Sequence, residues 1–167
     1  MKIRLLTLLF IVASFACSSQ TKEAPSKFFK ATVNNVVLDV PDGFEAVNGQ
    51  NGFLHKGSAS TLMIEEIPNS PFSFAAEHFN ASSLEKDGAL LTGQENVKTS
   101  SGQDAILYTL TVPLKNKDNT TSADFERMVL ITGNETRTIC IVVNYPVIIK
   151  KLIQEPLKTS MLSVIMN

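Results

Sequence analysis

The run Ile139-Cys140-Ile141-Val142-Val143 places apolar side chains on both faces of one extended segment. Successive side chains of a strand point to opposite faces, so no single contact surface buries such a run. It has to lie in a sheet that is covered above and below. The same chain holds candidates for that cover. Phe72, Ala75, Ala76 and Phe79 recur at the spacing of one helix face, and a second helical stretch at 147–165 follows the strand. Pro156 is expected to divide this second stretch, with Leu157, Met161 and Val164 as an apolar stripe after it.

Most of the remaining pattern is strand. Val36, Leu38 and Val40 alternate with their neighbours and stop at the turn signal Pro41-Asp42-Gly43. Asn48-Gly49 and Asn51-Gly52 put a loop or hairpin near 42–52, and 52–56 and 61–67 read as short strands. Ser70 is placed to cap a helix and Pro71 to open its first turn. A second short helix is expected from Ser82 or Ser83 to near Gly88. Strands follow at 97–99, 105–114, 125–132 and 137–145, with the polar stretch 115–121 as a hairpin tip and Gly133-Asn134 as the last turn. This order predicts an α+β fold, one continuous antiparallel β-sheet covered by helices as an α/β/α-type sandwich, and not a doubly wound sheet. A chain of 167 residues suits one domain.

The first twenty residues differ from all the rest. Lys2 and Arg4 precede an uncharged apolar run of twelve residues, 5–16. A membrane span takes about 20 apolar residues, whereas a secretory leader has this charged start and this shorter run. At its end, Ser14-Phe15-Ala16-Cys17 resembles a bacterial lipoprotein box, in which Cys17 becomes the first mature residue and carries the lipid. The small residues Ser14 and Ala16 also satisfy ordinary signal cleavage. Residues 18–27 are polar with no apolar face, the composition of a flexible tether, where a lone thiol has no packing role. The expected organisation is a signal peptide at 1–16, lipidated Cys17 and tether at 17–30, and a single α+β domain at 31–167. Ser18 after the Cys leans toward the outer membrane; the alternative is a soluble periplasmic protein. Loss of Lys2 and Arg4 would take the net charge from −1 to −3. A mildly acidic domain has no general attraction to nucleic acid or to anionic lipid, which leaves membrane contact to the anchor.

Few residues suggest chemistry. His55 falls on an expected strand and His78 on an expected helix beside Glu77, without the spacing of a metal-binding or metalloprotease motif. Glu65 and Glu66 are adjacent on a strand and so point to opposite faces. Cys140 lies in the apolar run, where burial keeps a thiol protonated. No nucleophile elbow, phosphate-binding glycine loop or dinucleotide fingerprint occurs. With no Trp and only Tyr108 and Tyr145, a stacking platform for bases or sugars is not expected. The reading assigns no catalytic residue, no cofactor, no metal and no nucleic-acid partner.

Val37-Leu38-Asp39-Val40-Pro41-Asp42-Gly43-Phe44 resembles the opening strand, Pro, Gly and aromatic residue of the PsbP/DcrB-like superfamily. The Pro-containing turn and helix at 68–79, the stretch Ser101-Gly102-Gln103-Asp104-Ala105 and the closing Leu162-Ser163-Val164 are similar as well. The resemblance covers about 36–165 and implies an extrinsic, often membrane-tethered module without a shared active site. The expected function is a lipid-anchored envelope protein acting as a non-catalytic binding or assembly module, with an envelope protein as partner. The alternative is a carrier of a small apolar ligand held between sheet and helices, with Phe72, Phe74 and Phe79 lining the space. An exported enzyme comes third, and would need a cleft gathering His55 or His78 with an acid and a nucleophile.

Overall fold

A computed structural model of the protein describes residues 27–85, 88–115 and 121–167; Cys17, the leader and most of the expected tether lie outside them. In chain order the elements are β1 (Phe28–Val33), β2 (Val36–Pro41), β3 (Glu45–Ala46), β4 (Gly52–His55), β5 (Ser60–Pro68), α1 (Phe72–His78), α2 (Ala81–Leu84), β6 (Leu90–Lys98), β7 (Asp104–Lys115), β8 (Thr121–Gly133), β9 (Arg137–Pro146), a 3-10 turn (Val147–Ile149), α3 (Lys150–Leu162) and β10 (Ile165–Met166). The fold is α+β.

Seven strands form an antiparallel sheet in the order β3-β4-β5-β9-β8-β7-β6. The doubly apolar run therefore sits on the middle strand, as its composition requires. Ile139, Ile141 and Val143 point to one face with Leu62, Ile64, Met128 and Leu130, and all are essentially inaccessible to solvent. Cys140 and Val142 point to the other, with Val129 and Ile131. Helices α1 and α2 cover part of this second face.

The first face is covered differently from the expected continuous sheet with helical layers. A separate three-stranded sheet, β1-β2-β10, shares this layer with α3. Val36, Leu38 and Val40 from β2 meet Leu157 and Met161 from α3, and Val164 just beyond it, over the large sheet. Asn34 and Asn35 have positive φ (49° and 61°) and form the two-residue turn that folds β1 back along β2. Consequently Phe28, Phe29 and Lys30, which the sequence pattern assigns to the tether, are strand residues.

Two helix expectations are corrected. Pro156 does not divide the C-terminal stretch, because α3 runs through it from Lys150 to Leu162. Proline removes one backbone donor, and the packing of the turns that follow it outweighs that loss. Leu157, Ser160 and Met161 are fully buried, and the Leu162 carbonyl accepts from Ser100 N at 2.7 Å. Nor does the Ser70 side chain cap α1, which starts after Pro71 without a side-chain cap. The β8–β9 turn does that work: the Asn134 carbonyl accepts from Phe72 N at 2.9 Å. Helix α2 begins at Ala81, with Asn80 Oδ1 accepting from Ser83 N at 3.2 Å.

Candidate functional site

A half-open cleft of about 350 Å³ separates the β2–β3–β4 corner from the start of α3. Lys27, Pro41, Asp42, Phe44, His55 and Ser58 line one side, and Ile149, Leu152, Ile153 and Pro156 the other. Local sequence explains the first wall. Gly43 turns the chain at φ +87°, and a Cβ there would lie 2.7 Å from His55 Nε2. Only glycine meets both conditions, and the turn brings Phe44 against the His55 ring at 5.4 Å between centroids. His55 Nδ1 and Ser58 Oγ lie 2.9 Å apart, and Ser58 donates to Ser60 Oγ at 2.9 Å. Ser58 Oγ thus lies between the imidazole and Ser60 Oγ, a short polar chain at the rim of the cleft. The arrangement suits an apolar group inside and polar atoms at the rim.

A second groove of about 320 Å³ lies on the opposite face of the large sheet. Val129, Val142 and Cys140 floor it, Phe79 and Leu84 border it, and Glu65 and Arg127 supply opposite charges. Arg127 Nε donates to Asn144 Oδ1 at 2.7 Å, and Asn144 Nδ2 donates to Thr61 Oγ1 at 3.1 Å, a polar row across three strands. Burial, reinforced by the negative charge of Glu65, pushes the Cys140 thiol up to about 12. This is the protonated, inert core cysteine that its apolar strand predicts.

A cluster not read from sequence lies between sheet and α3. Glu126 is buried in the principal core and accepts from the Tyr145 hydroxyl, from Lys150 Nζ at 2.6 Å and from Gln154 Nε2 at 3.1 Å. Alternation in β8 was the available signal, because Glu126 falls on the same face as Met128 and Leu130. All four groups are engaged with one another, so the cluster fastens a helix to a sheet.

The other singled-out residues are dispersed. His55 lies on the α3 side of the large sheet, in register with Ser60, whereas His78 ends α1 on the opposite side. His78 is exposed, stacks on Phe74 at 3.9 Å and donates through Nδ1 to the Phe74 carbonyl at 2.8 Å. Glu66 pairs with Arg137 at 3.3 Å, while Glu65 faces the second groove. Phe72, Phe74 and Phe79 do not line one space: Phe79 borders the groove, Phe72 packs beside Gly133, and Phe74 is 54% exposed. Among the described residues no three His, Cys, Asp or Glu side chains are gathered to hold a metal ion, and no helix is long and apolar enough to cross a membrane.

No protein-family model matches the chain, and no curated protein matches it either. Solved structures do. The solution structure of cyanobacterial PsbP (CyanoP) from Synechocystis is 13% identical, with a TM-score of 0.54 over 90% of this chain and 99% of that one. A Bacteroides thetaiotaomicron protein is 12% identical at a TM-score of 0.52, and the match takes in 85% of this chain but 48% of that one. A Pseudomonas aeruginosa protein of unknown function is 12% identical at 0.53, over 84% and 98%. At such identities the likeness is one of architecture, and it establishes that this chain has a PsbP-like fold.

Proposed function

We propose that the protein is a lipid-anchored module of the bacterial envelope that binds a partner and catalyses no reaction. The observation that carries the reading joins sequence to structure. Cys17 closes a leader-like segment, and ten residues later Lys27 stands on the rim of an apolar cleft. A chain held by acyl groups on Cys17 therefore presents this cleft close to the membrane, where an envelope partner would meet it. The lining of the cleft is mainly apolar, and this supports binding. The anchor is tested by mass spectrometry of membrane-extracted protein and by fractionation of a Cys17→Ala variant. Acyl groups on Cys17 and release of the variant from the membrane are expected. A soluble mature protein with an unmodified or absent Cys17 overturns the reading.

One observation favours a second reading. The two grooves fall within the roughly 300–1,000 Å³ of small-ligand sites, and the cleft beside α3 has a mainly apolar lining. A carrier would retain such a ligand through purification, so native mass spectrometry of gently extracted protein separates it from a module that binds a protein partner.

A further inference from the structure

We infer that the ledge formed by Ile148 and Leu152 at the start of α3 docks on the lipid surface of the membrane, next to the point where the tether joins the domain. The inference rests on the proposed anchor at Cys17 and goes beyond it by naming a second, non-covalent contact.

Ile148 is 93% exposed, Leu152 75% and Val147 41%. Ile148 belongs to the 3-10 turn that leads into α3 and Leu152 to the first turn of α3, so both stand exposed at the same end of the helix. The core does not need them, since α3 buries Leu157 and Met161 on its inner side. The ledge is continuous with the cleft, because Leu152 belongs to both. Lys151, between Ile148 and Leu152 in sequence, is exposed, and Lys27 lines the same cleft as Leu152; neither forms an ion pair among the described residues. Apolar side chains flanked by free lysines suit the boundary between acyl chains and headgroups. The acidic groups beside the patch are Asp42, in the lining of the cleft, and exposed Glu155, one helical turn on from Lys151.

The occupant follows from the chain that precedes Lys27. Ten peptide steps from Cys17 reach at most about 36 Å, and a flexible chain of that length averages roughly 18 Å end to end. An anchored domain thus holds this ledge within reach of the bilayer. The intervening Ser, Gln, Thr, Lys, Glu, Ala and Pro residues have no apolar face with which to cover the ledge themselves. Three side chains are also too few for a stable dimer interface, which takes about 1,000 Å² or more. A bilayer needs no such complementarity.

The chain contains no Trp, so one introduced Trp is a clean reporter. Full acylated protein carrying Leu152→Trp is placed on vesicles of phosphatidylethanolamine and phosphatidylglycerol, with Phe74→Trp, on the opposite face of the large sheet, as the comparison. Vesicle flotation is read alongside. The expected result is a blue shift and quenching by brominated lipid for Leu152→Trp only, both lost when Ile148→Glu is added. Flotation with water-like emission at Leu152→Trp overturns the docking and leaves the anchor standing. Absence of acyl groups and of flotation overturns the anchor and the docking with it. A concentration-dependent blue shift without vesicles assigns the ledge to a second copy of the chain and also overturns the proposal.

Discussion

The Tyr145 hydroxyl donates to the Glu126 carboxylate directly across the β8–β9 ladder, beneath the first turns of α3. Burial, then the bond to Glu126 and its negative charge, push the tyrosine pKa upward. Lys150 is 42% exposed, so solvent screens its charge and hydrogen bonding carries most of the cluster's strength. Glu126→Ala strands three donors and is expected to cost about 2–4 kcal/mol in urea unfolding, against about 1–2 kcal/mol for Glu126→Gln. Equal losses for the two would show that charge, and not hydrogen bonding, fastens the helix.

Cys140 gives the fold an alkaline limit. Its thiol ionises at about 12 in the fold against an ordinary 9.0. The unfolded chain therefore releases this proton first, and stability is complete below pH 9 and falls as pH rises above it. By about pH 10.5 the loss reaches roughly 2 kcal/mol. Tyr108 and Tyr145, both raised, add to the fall from their ordinary value of 10.0 upward. Thermal unfolding between pH 8 and 11 should show a shallower decline near pH 9–10 for Cys140→Ala, whatever the variant's lower starting stability. Identical slopes would contradict the assignment.

Gly43 is required twice over, by its φ of +87° and by the His55 ring where a Cβ would stand. Gly43→Ala is expected to destabilise by about 1–3 kcal/mol. In a His55→Ala background the clash disappears and the backbone strain remains, so part of the loss should be recovered. A double-mutant cycle by denaturant unfolding measures the difference, and additive effects would refute the contact.

Ser160 Oγ is buried within α3 and has no hydrogen-bond partner among the described residues. Ser160→Ala removes that atom and improves helix propensity, so a gain of about 0.5–1 kcal/mol is expected. The Ser160 carbonyl still accepts from Ser163 Oγ, which keeps the helix end in place. A loss of stability in calorimetry would indicate that the hydroxyl is satisfied after all.

The architecture was legible where one residue's burial fixes its neighbours' faces. The run at Ile139 demanded two covering layers, and it occupies the middle of the sheet with cores on both sides. The two-sheet layer was not legible, because β10 is two residues long and β1, Phe28–Val33, gains its place only by pairing with β2. Pro156 misled because the local rule is real but weaker than the packing of Leu157 and Met161. The cleft was hidden for another reason: Lys27, Phe44, His55 and Leu152 come from four separate elements or turns. Val147-Ile148-Ile149 opens the stretch read as helical cover, and only the fold shows that Ile148 is left outside.

The layer over the principal core has a consequence for the order of events in synthesis. It joins a hairpin from the beginning of the described chain to a helix and strand from its end, with Ile165 laid against Val37. Until that last strand emerges, Val36, Leu38 and Val40 lack their final neighbours, and Leu62, Ile64 and Ile141 lack part of their roof. Contacts of such long separation close slowly. A chain that emerges residue by residue would keep this layer open until Ile165 and Met166 are free to pair with β2.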